Sequence, residues 1–509
     1  MNSPNQEDAA PILPNSVRDA VVALSLSNLN FLRLWRELVY ESPSDDYFLA
    51  AATSATYFGA ILCCVFLGVA IFVALRFLSA WESRLSWILR AILLGLLLVN
   101  PLNFTRSALD LFEFGEIVRL PAGQRSMLGV GFLLAGSIAL IFARQVVAVV
   151  SIALLVMSLF AITTLAQAAW LGITTPPPTI TGAPPTAERR VERRVVWLIF
   201  DGLDNRIFSE EKPEGLSLPE FERMLAQSLL ATNAMRAAEG VTLTNVPSMT
   251  LGREVTKATP KFGRDLLLEF RDGPTPVFWS EQPHIFYEVR RAGGRLSIVG
   301  FYHPMCRLLA GDYDDCISFP FKAVMPTTMS NLLEIMKTQA HVLTPLYEKQ
   351  KAVLTYQSIL AAAKRSLGRD PADLTFIHLP VPHRPQIWDP KRGEFREGLS
   401  FWKVDYRDNF ALSDRALGEI RELMERNGTW DDAVVLITSD HGFDKWGNRD
   451  EAMNDQISFI LKTPYQTGPL IHTEPFSGIV VKKLLLSLLL GDLTDARSVS
   501  SWLETQGGE

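Results

Sequence analysis

Charge disappears from long stretches of the first third of the chain and then returns. No charged residue lies between positions 47 and 75, from Tyr47 onward, and at 1.5 Å rise per residue such a run crosses a hydrocarbon core of about 30 Å. A second apolar run, 85–104 around AILLGLLLV, carries Arg90 near one end, where a guanidinium can snorkel to the headgroups. Residues 127–143 and 146–172 are again free of charge and meet at Arg144 and Gln145. They predict a third and a fourth span joined by a tight turn, so that 47–172 forms a four-helix transmembrane domain. In the preceding segment, 1–46, SLSNLNFLRLWRELVY places Leu, Phe and Trp on one helical face. That pattern suits an amphipathic helix lying on a membrane surface or an ordinary packed helix. Because the first apolar run starts so late, a cleaved signal peptide is not expected.

The pattern changes after TTPPPTITGAPPTAERRVERR, whose prolines and arginines mark a linker over 173–194. From 195 to 509 apolar runs of strand length alternate with longer helical patterns. The runs are VVWLIF (195–200), LSIVG (296–300), LTFIHL (374–379) and AVVLIT (433–438). Such alternation predicts an α/β fold, a mostly parallel sheet with helices on both faces. Residues 406–427 read as the helix before the last of these strands, capped by Gly428. IVVKKLLLSLLLGDL is short and holds Lys482 and Lys483, so it reads as a buried helix of the α/β domain and not a further span.

Composition agrees with a chain partly in lipid: 48% of residues are hydrophobic and only 20% charged. With 49 basic and 55 acidic residues the formal charge is −6, and no cationic field exists to gather nucleic acid. Of four cysteines, Cys63 and Cys64 fall in the first span. Cys306 and Cys316 are spaced so that a disulfide can close between them in an oxidising compartment. Basic residues do not orient the spans, since Arg76, Arg84 and Arg90 flank one loop and Arg106, Arg119 and Arg125 the next.

Ligands of open α/β sheets collect beyond the carboxyl ends of the strands. There VVWLIF ends in Asp201-Gly202-Leu203-Asp204, AVVLIT in Ser439-Asp440-His441-Gly442, and LTFIHL leads into Pro380-Val381-Pro382-His383-Arg384-Pro385. Carboxylates and imidazoles at neighbouring strand ends suit Zn²⁺ or Mn²⁺, which take mixed oxygen and nitrogen donors. Pro247 suits the first turn of a helix, and the threonines before it, in GVTLTNVPSMTLGR, then approach a helix N-terminus that favours an anion. His378, inside an apolar strand, reads as a core or supporting histidine. His284, His303 and His341 lack an acidic partner at ligand spacing. Arg253 and Lys257 read by default as solvated charges, while Trp388 suits an acceptor pocket and ordinary packing equally.

Strand-Asp201-Gly202, the threonine-rich turn, HLPVPHRP and the final strand with TSDHG resemble, in this order, the alkaline phosphatase and sulfatase superfamily over about 195–480. With membrane helices in front, the layout is similar to the membrane-bound branch that includes phosphoethanolamine transferases and lipoteichoic acid synthases. The resemblance implies an alkaline-phosphatase-like α/β/α sandwich outside a bacterial-type cytoplasmic membrane. It also implies a divalent ion held by Asp201, Asp440 and His441. Related enzymes place the nucleophile ten residues before the glycine that closes the following helix. Counting back from Gly252 gives Thr242, with Thr244 as the rival. His383 matches a histidine kept near the substrate and is a candidate acid, while Thr244, Asn245 and Arg384 are candidate substrate contacts. The implied function is metal-dependent phosphoryl transfer or phosphodiester hydrolysis on a phospholipid or envelope glycan.

Two departures narrow this. Sulfatases oxidise a cysteine or serine to formylglycine, and threonine here would give a ketone instead. The Asp-x-x-x-His segment of nucleotide pyrophosphatases is absent from TFIHLPVPHRP. One metal site is therefore expected. A second, from Asp204, His383 and His472, is the weaker alternative, with Asp204 and His472 given structural roles. A sulfuric ester hydrolase and a catalytically silent membrane scaffold remain alternative functions on the same fold.

Overall fold

The structure is a computed structural model that describes residues 14–40, 46–48, 53–81, 83–109, 120–175, 190–208, 215–261, 265–309, 311, 313–321, 332–343, 347–368, 370–396, 406–442 and 455–506. Most of the predicted linker lies outside these residues. The chain divides into two units.

The helical unit comprises Met1–Tyr40, Ala52–Pro177 and Ser330–Tyr347. Its first long helix is Ser54–Ser79, started by Thr53, whose hydroxyl accepts the Thr56 N–H. The helix thus begins seven residues beyond Tyr47, where the charge-free run opens. Arg84–Ala108 and Ala122–Ile141 follow. These three are long and apolar enough to cross a membrane. The predicted fourth span is instead a pair of helices, Ala143–Val156 and Ser158–Thr174, bent by 40° at Met157. The turn before it falls at Phe142 rather than at Arg144 and Gln145, which are helical.

Of the N-terminal segment, Asn15–Asn30 is a helix packed within this unit. Its Val22, Ala23 and Leu26 are buried with Ile71, Leu75, Leu94, Val147 and Leu154. Two of its buried polar side chains bond inside the unit: Ser27 Oγ donates to the Cys64 carbonyl at 2.6 Å, and Asn30 Nδ2 to that of Leu97 at 2.9 Å. A helix from much later in the chain, Leu332–Ala340, also belongs here. Gln339 Nε2 donates to the Thr56 carbonyl at 2.8 Å.

The larger unit comprises Glu41–Ala51, Pro178–Met329 and Glu348–Glu509. Its sheet has eight strands: β1 Val195–Phe200, β2 Leu229–Ala231, β3 Leu296–Tyr302, β4 Asp315–Pro320, β5 Leu374–Leu379, β6 Val434–Thr438, β7 Phe459–Lys462 and β8 Leu470–His472. The order is β8-β2-β7-β6-β1-β5-β3-β4. Only β7 runs antiparallel to its neighbours. Val195 on the central β1 pairs with Val434 of β6 and Leu374 of β5.

Every residue of β1 is buried because helices cover both faces. Val195, Trp197 and Ile199 enter the core shared with Val481, Leu484, Leu485 and Leu488 of the helix Val481–Leu489. Val196, Leu198 and Phe200 enter the opposite core, with Phe410, Leu417, Ile420 and Met424 of the helix Tyr406–Arg426. Each large apolar side chain buried this way contributes roughly 1.5–3 kcal/mol. Gly428 follows that helix at φ +69°, the left-handed backbone expected of a helix-ending glycine. Cys306 and Cys316 form a disulfide with Cα atoms 5.6 Å apart. A separate three-stranded antiparallel sheet, Val255–Lys261, Asp265–Phe270 and Gly273–Phe278, was not legible as strands in the sequence.

Candidate active site

The parallel strands β1, β5 and β6 deliver their last residues to one edge of the sheet. Asp201 follows β1 and Asp440 follows β6 by one residue; both are buried. His441 Nε2 lies 3.4 Å from Asp201 Oδ1 and 3.7 Å from Asp440 Oδ2. The loop after β5 is tied to this edge by the His383 N–H, which donates to the Asp201 carbonyl at 3.0 Å. His383 is half-buried, and its ring centroid lies 5.9 Å from that of His441. Asn409 fixes the loop from behind. Its Nδ2 donates to the carbonyls of His383 and Pro385, and its Oδ1 accepts the Ile387 N–H.

Thr242 is the first residue of the helix Thr242–Leu251, which ends on Gly252 at φ +68°. Its Oγ1 donates to Asp440 Oδ2 at 2.5 Å. The other oxygen, Oδ1, accepts the backbone N–H groups of Gly202 and His441 at 3.2 and 3.1 Å. Thr244, the rival, turns its hydroxyl back to the Glu239 carbonyl at 2.8 Å. Gly240 makes that turn possible: at φ +102° any Cβ would meet Thr244 Oγ1 at 2.9 Å. Pro247 lies inside the helix and not in its first turn, since the helix opens at Thr242.

The remaining predicted contacts are distributed differently. Asn245 is fully buried and spends its amide on its own turn. It accepts the Ala238 N–H and donates to the Gly240 and Val241 carbonyls, so it supports the loop before Thr242 and does not face the centre. Arg384 is exposed. Asp204 pairs with Arg206 at 2.7 Å, and His472 Nδ1 lies 3.0 Å from Ser500 Oγ. Arg253 and Lys257 pair with Asp272 and Glu269 on the surface, and Trp388 packs edge-on against Phe395.

His378, which the sequence reads as a core or supporting histidine, stands beside these carboxylates. One ligand atom from each of Asp201, His378 and Asp440 lies within 4.8 Å of the others, and the same holds for Asp201, His383 and His441. Neither ring nitrogen of His378 makes a hydrogen bond of good geometry, nor does Asp201 Oδ1, although all are buried. Buried polar atoms without partners are costly unless something binds them. The only sequence signal was a histidine one position from the carboxyl end of an otherwise apolar strand.

The electrostatics agree. Burial opposes ionisation of Asp201, but His383 and then His441 outweigh it and bring its pKa down to about 2. Burial likewise opposes the charged ring of His441, yet Asp440 and Asp201 push its pKa up to about 10. The carboxylates of Asp201 and Asp440 among three imidazoles form a donor set of the hard–borderline kind that divalent ions take. The residues present therefore fit a metal ion.

A mostly parallel α/β sandwich with acidic and imidazole side chains at its strand ends is the arrangement of an alkaline phosphatase superfamily enzyme. Residues 195–476, more than half of the chain, match the family model described as type I phosphodiesterase / nucleotide pyrophosphatase, and the chain belongs to this family. No curated protein sequence matches it. Solved structures with a similar fold include the phosphonate monoester hydrolase of Agrobacterium radiobacter, 13% identical, covering 59% of this chain and 77% of the other with a TM-score of 0.39. A second is the phosphonate monoester hydrolase of Silicibacter pomeroyi, 13% identical over 62% and 77% with a TM-score of 0.41. A third is an alkaline phosphatase superfamily protein of Vibrio parahaemolyticus, 12% identical over 61% and 72% with a TM-score of 0.38.

Proposed function

We propose that this protein is a membrane-anchored, metal-dependent phosphotransferase or phosphodiester hydrolase that uses Thr242 as its nucleophile, with a phospholipid headgroup as the donor. The observation that carries the reading is the 2.5 Å hydrogen bond from Thr242 Oγ1 to Asp440 Oδ2, at a helix start and beside the Asp201–His441 cluster. A divalent cation, Zn²⁺ or Mn²⁺ by the mixed donor set, would be held by Asp201, Asp440 and His441, with His378 and His383 at hand, and would supply Lewis acidity to the hydroxyl and the phosphoryl oxygens.

Asp440 orients the hydroxyl and takes up its proton as Thr242 Oγ1 bonds to phosphorus. The bond from phosphorus to the leaving oxygen breaks, and His383, half-buried at the edge of the site, donates a proton to that oxygen. The positive end of the helix Thr242–Leu251 favours the anionic group in flight. The oxygen of water or an alcohol then bonds to phosphorus as the bond to Thr242 Oγ1 breaks; Asp440 returns its proton to Oγ1, and His383 takes the proton that the acceptor loses. The helices long enough to cross a membrane support a lipid donor, because tethering raises the effective concentration of headgroups. The Cys306–Cys316 disulfide supports an α/β unit facing an oxidising, extracytoplasmic compartment.

The test is mass spectrometry of full-length protein after brief exposure to phospholipid vesicles with Zn²⁺ or Mn²⁺. An added phosphoryl or substituted phosphoryl mass is expected on the Thr242 peptide. Turnover by Thr242→Ala equal to the unaltered protein would overturn the reading.

A further inference from the structure

His303 was set aside in the sequence because no acidic residue stands at ligand spacing. In the structure it is fully buried and lies between two groups from distant parts of the chain. Its Nδ1 is 2.8 Å from the Tyr47 hydroxyl, and its Nε2 is 3.1 Å from the backbone carbonyl of Thr242. A carbonyl oxygen only accepts, so Nε2 carries the hydrogen; Nδ1 then accepts, and Tyr47 donates. The relay therefore has one direction, from the Tyr47 hydroxyl through the imidazole to the peptide of Thr242.

The relay is clamped on every side. Tyr47 is wholly buried, and its own carbonyl accepts Arg307 Nη2 at 2.8 Å. Trp279 and Tyr302 stand edge-on to the imidazole with ring centroids at 5.0 and 5.1 Å. Tyr302 itself holds a left-handed backbone at φ +68°, a conformation that a bulky residue adopts only where its surroundings impose it. Its ring packs edge-on against Phe48 at 5.4 Å. An apolar side chain would fill this space at less cost than a ring with two polar atoms, both of which are spent on placing one carbonyl.

We infer that Tyr47 and His303 are positioning residues for the Thr242 nucleophile, so that a segment preceding the first apolar helix in sequence forms part of the support of the active site. The inference rests on the proposed role of Thr242. Asp440 holds that residue by its hydroxyl and the relay holds it by its backbone, and both are needed to fix an oxygen against a phosphorus. A displacement of about 1 Å at a reacting atom costs on the order of 100-fold in rate.

The experiment uses the full-length protein in nanodiscs with Zn²⁺ or Mn²⁺ and bis(4-nitrophenyl) phosphate as the probe, comparing Tyr47→Phe, His303→Leu, His303→Gln and Thr242→Ala. Hydrogen exchange of the peptide spanning 241–251 is followed in parallel. Tyr47→Phe is expected to lower kcat about 10-fold and His303→Leu about 100-fold with KM unchanged, while His303→Gln, which keeps a donor toward the carbonyl, recovers most of the loss. Exchange in 241–251 rises at least several-fold in Tyr47→Phe. Folded Tyr47→Phe and His303→Leu proteins with unaltered exchange in that peptide overturn the inference, as does a change confined to KM. Full activity of Thr242→Ala overturns the reading of the nucleophile instead. The exchange arm, which needs no turnover, still decides whether the relay holds the helix start.

Discussion

Asp440 holds Thr242 with one carboxylate oxygen and the backbone of two neighbouring strand ends with the other: Oδ2 takes the hydroxyl at 2.5 Å while Oδ1 takes the Gly202 and His441 N–H groups. The carboxylate is thus fixed in plane by two amides before it meets the hydroxyl. Asp440→Asn keeps the shape but presents an N–H or a neutral oxygen to Thr242. Loss of about 100- to 1,000-fold in kcat is expected for Asp440→Asn, and at least as much for Thr242→Ala. Thr242→Ser, which keeps the oxygen, should retain a measurable fraction. Steady-state hydrolysis of a phosphodiester checks all three.

Removal of the metal is the next test. Asp201→Asn or His441→Ala should each lower the divalent ion that copurifies, measured by elemental analysis, from about one per chain toward zero. Chelation of the unaltered protein should abolish turnover, and Zn²⁺ or Mn²⁺ should restore it. A chelated protein that keeps its rate would remove the metal from the proposal.

Stability should fall in mild acid for a reason unrelated to the site. His284 caps the helix Ile285–Arg291 by accepting the Tyr287 N–H at Nδ1, and burial brings its pKa down to about 4. The unfolded chain binds that proton near 6.5, so between about 6.5 and 4 the unfolded state holds more protons and stability declines as pH falls. The full effect is on the order of 3 kcal/mol. His303, brought down to about 3 by burial, acts in the same sense. His284→Asn preserves a capping oxygen without titrating, and its denaturation midpoint should vary less with pH over this window.

The disulfide between Cys306 and Cys316 closes a loop of ten residues. Cys306→Ser with Cys316→Ser should destabilise the α/β unit by about 2–3 kcal/mol on the loop-entropy account. Denaturant melts of the two forms measure this, and equal midpoints would show that the bridge does not contribute.

Much of the site could be read from the chain because its chemistry sits where the pattern changes. Asp201 directly follows one run of strand length and Asp440 follows another after Ser439, and Thr242 opens a helix that ends on a recognisable glycine. Local pattern failed where the decisive fact is a meeting of distant segments. His378 alternates within an apolar strand and looks like core, and nothing near it in sequence announces Asp201 and Asp440. Asn245 failed in the opposite direction: its residue type and place suggest a ligand, but the turn at Gly240 consumes its amide. The N-terminal segment was ambiguous because a packed helix and a surface-lying one share a single apolar face. Only the buried Ser27 and Asn30, bonded to carbonyls of other helices, distinguish them.

Tyr47, in a stretch that precedes the first long helix, belongs to the α/β unit, and Leu332–Ala340, from the midst of the catalytic sequence, belongs to the helical one. The two halves are interleaved along the polypeptide like threads passed back through a seam. A protease cutting once after the last apolar helix would not release an intact enzyme, because each fragment would leave with a piece of the other missing. Ribosomal synthesis faces the same order: Tyr47 emerges first and must wait for nearly two hundred further residues before Thr242, and then His303, arrive.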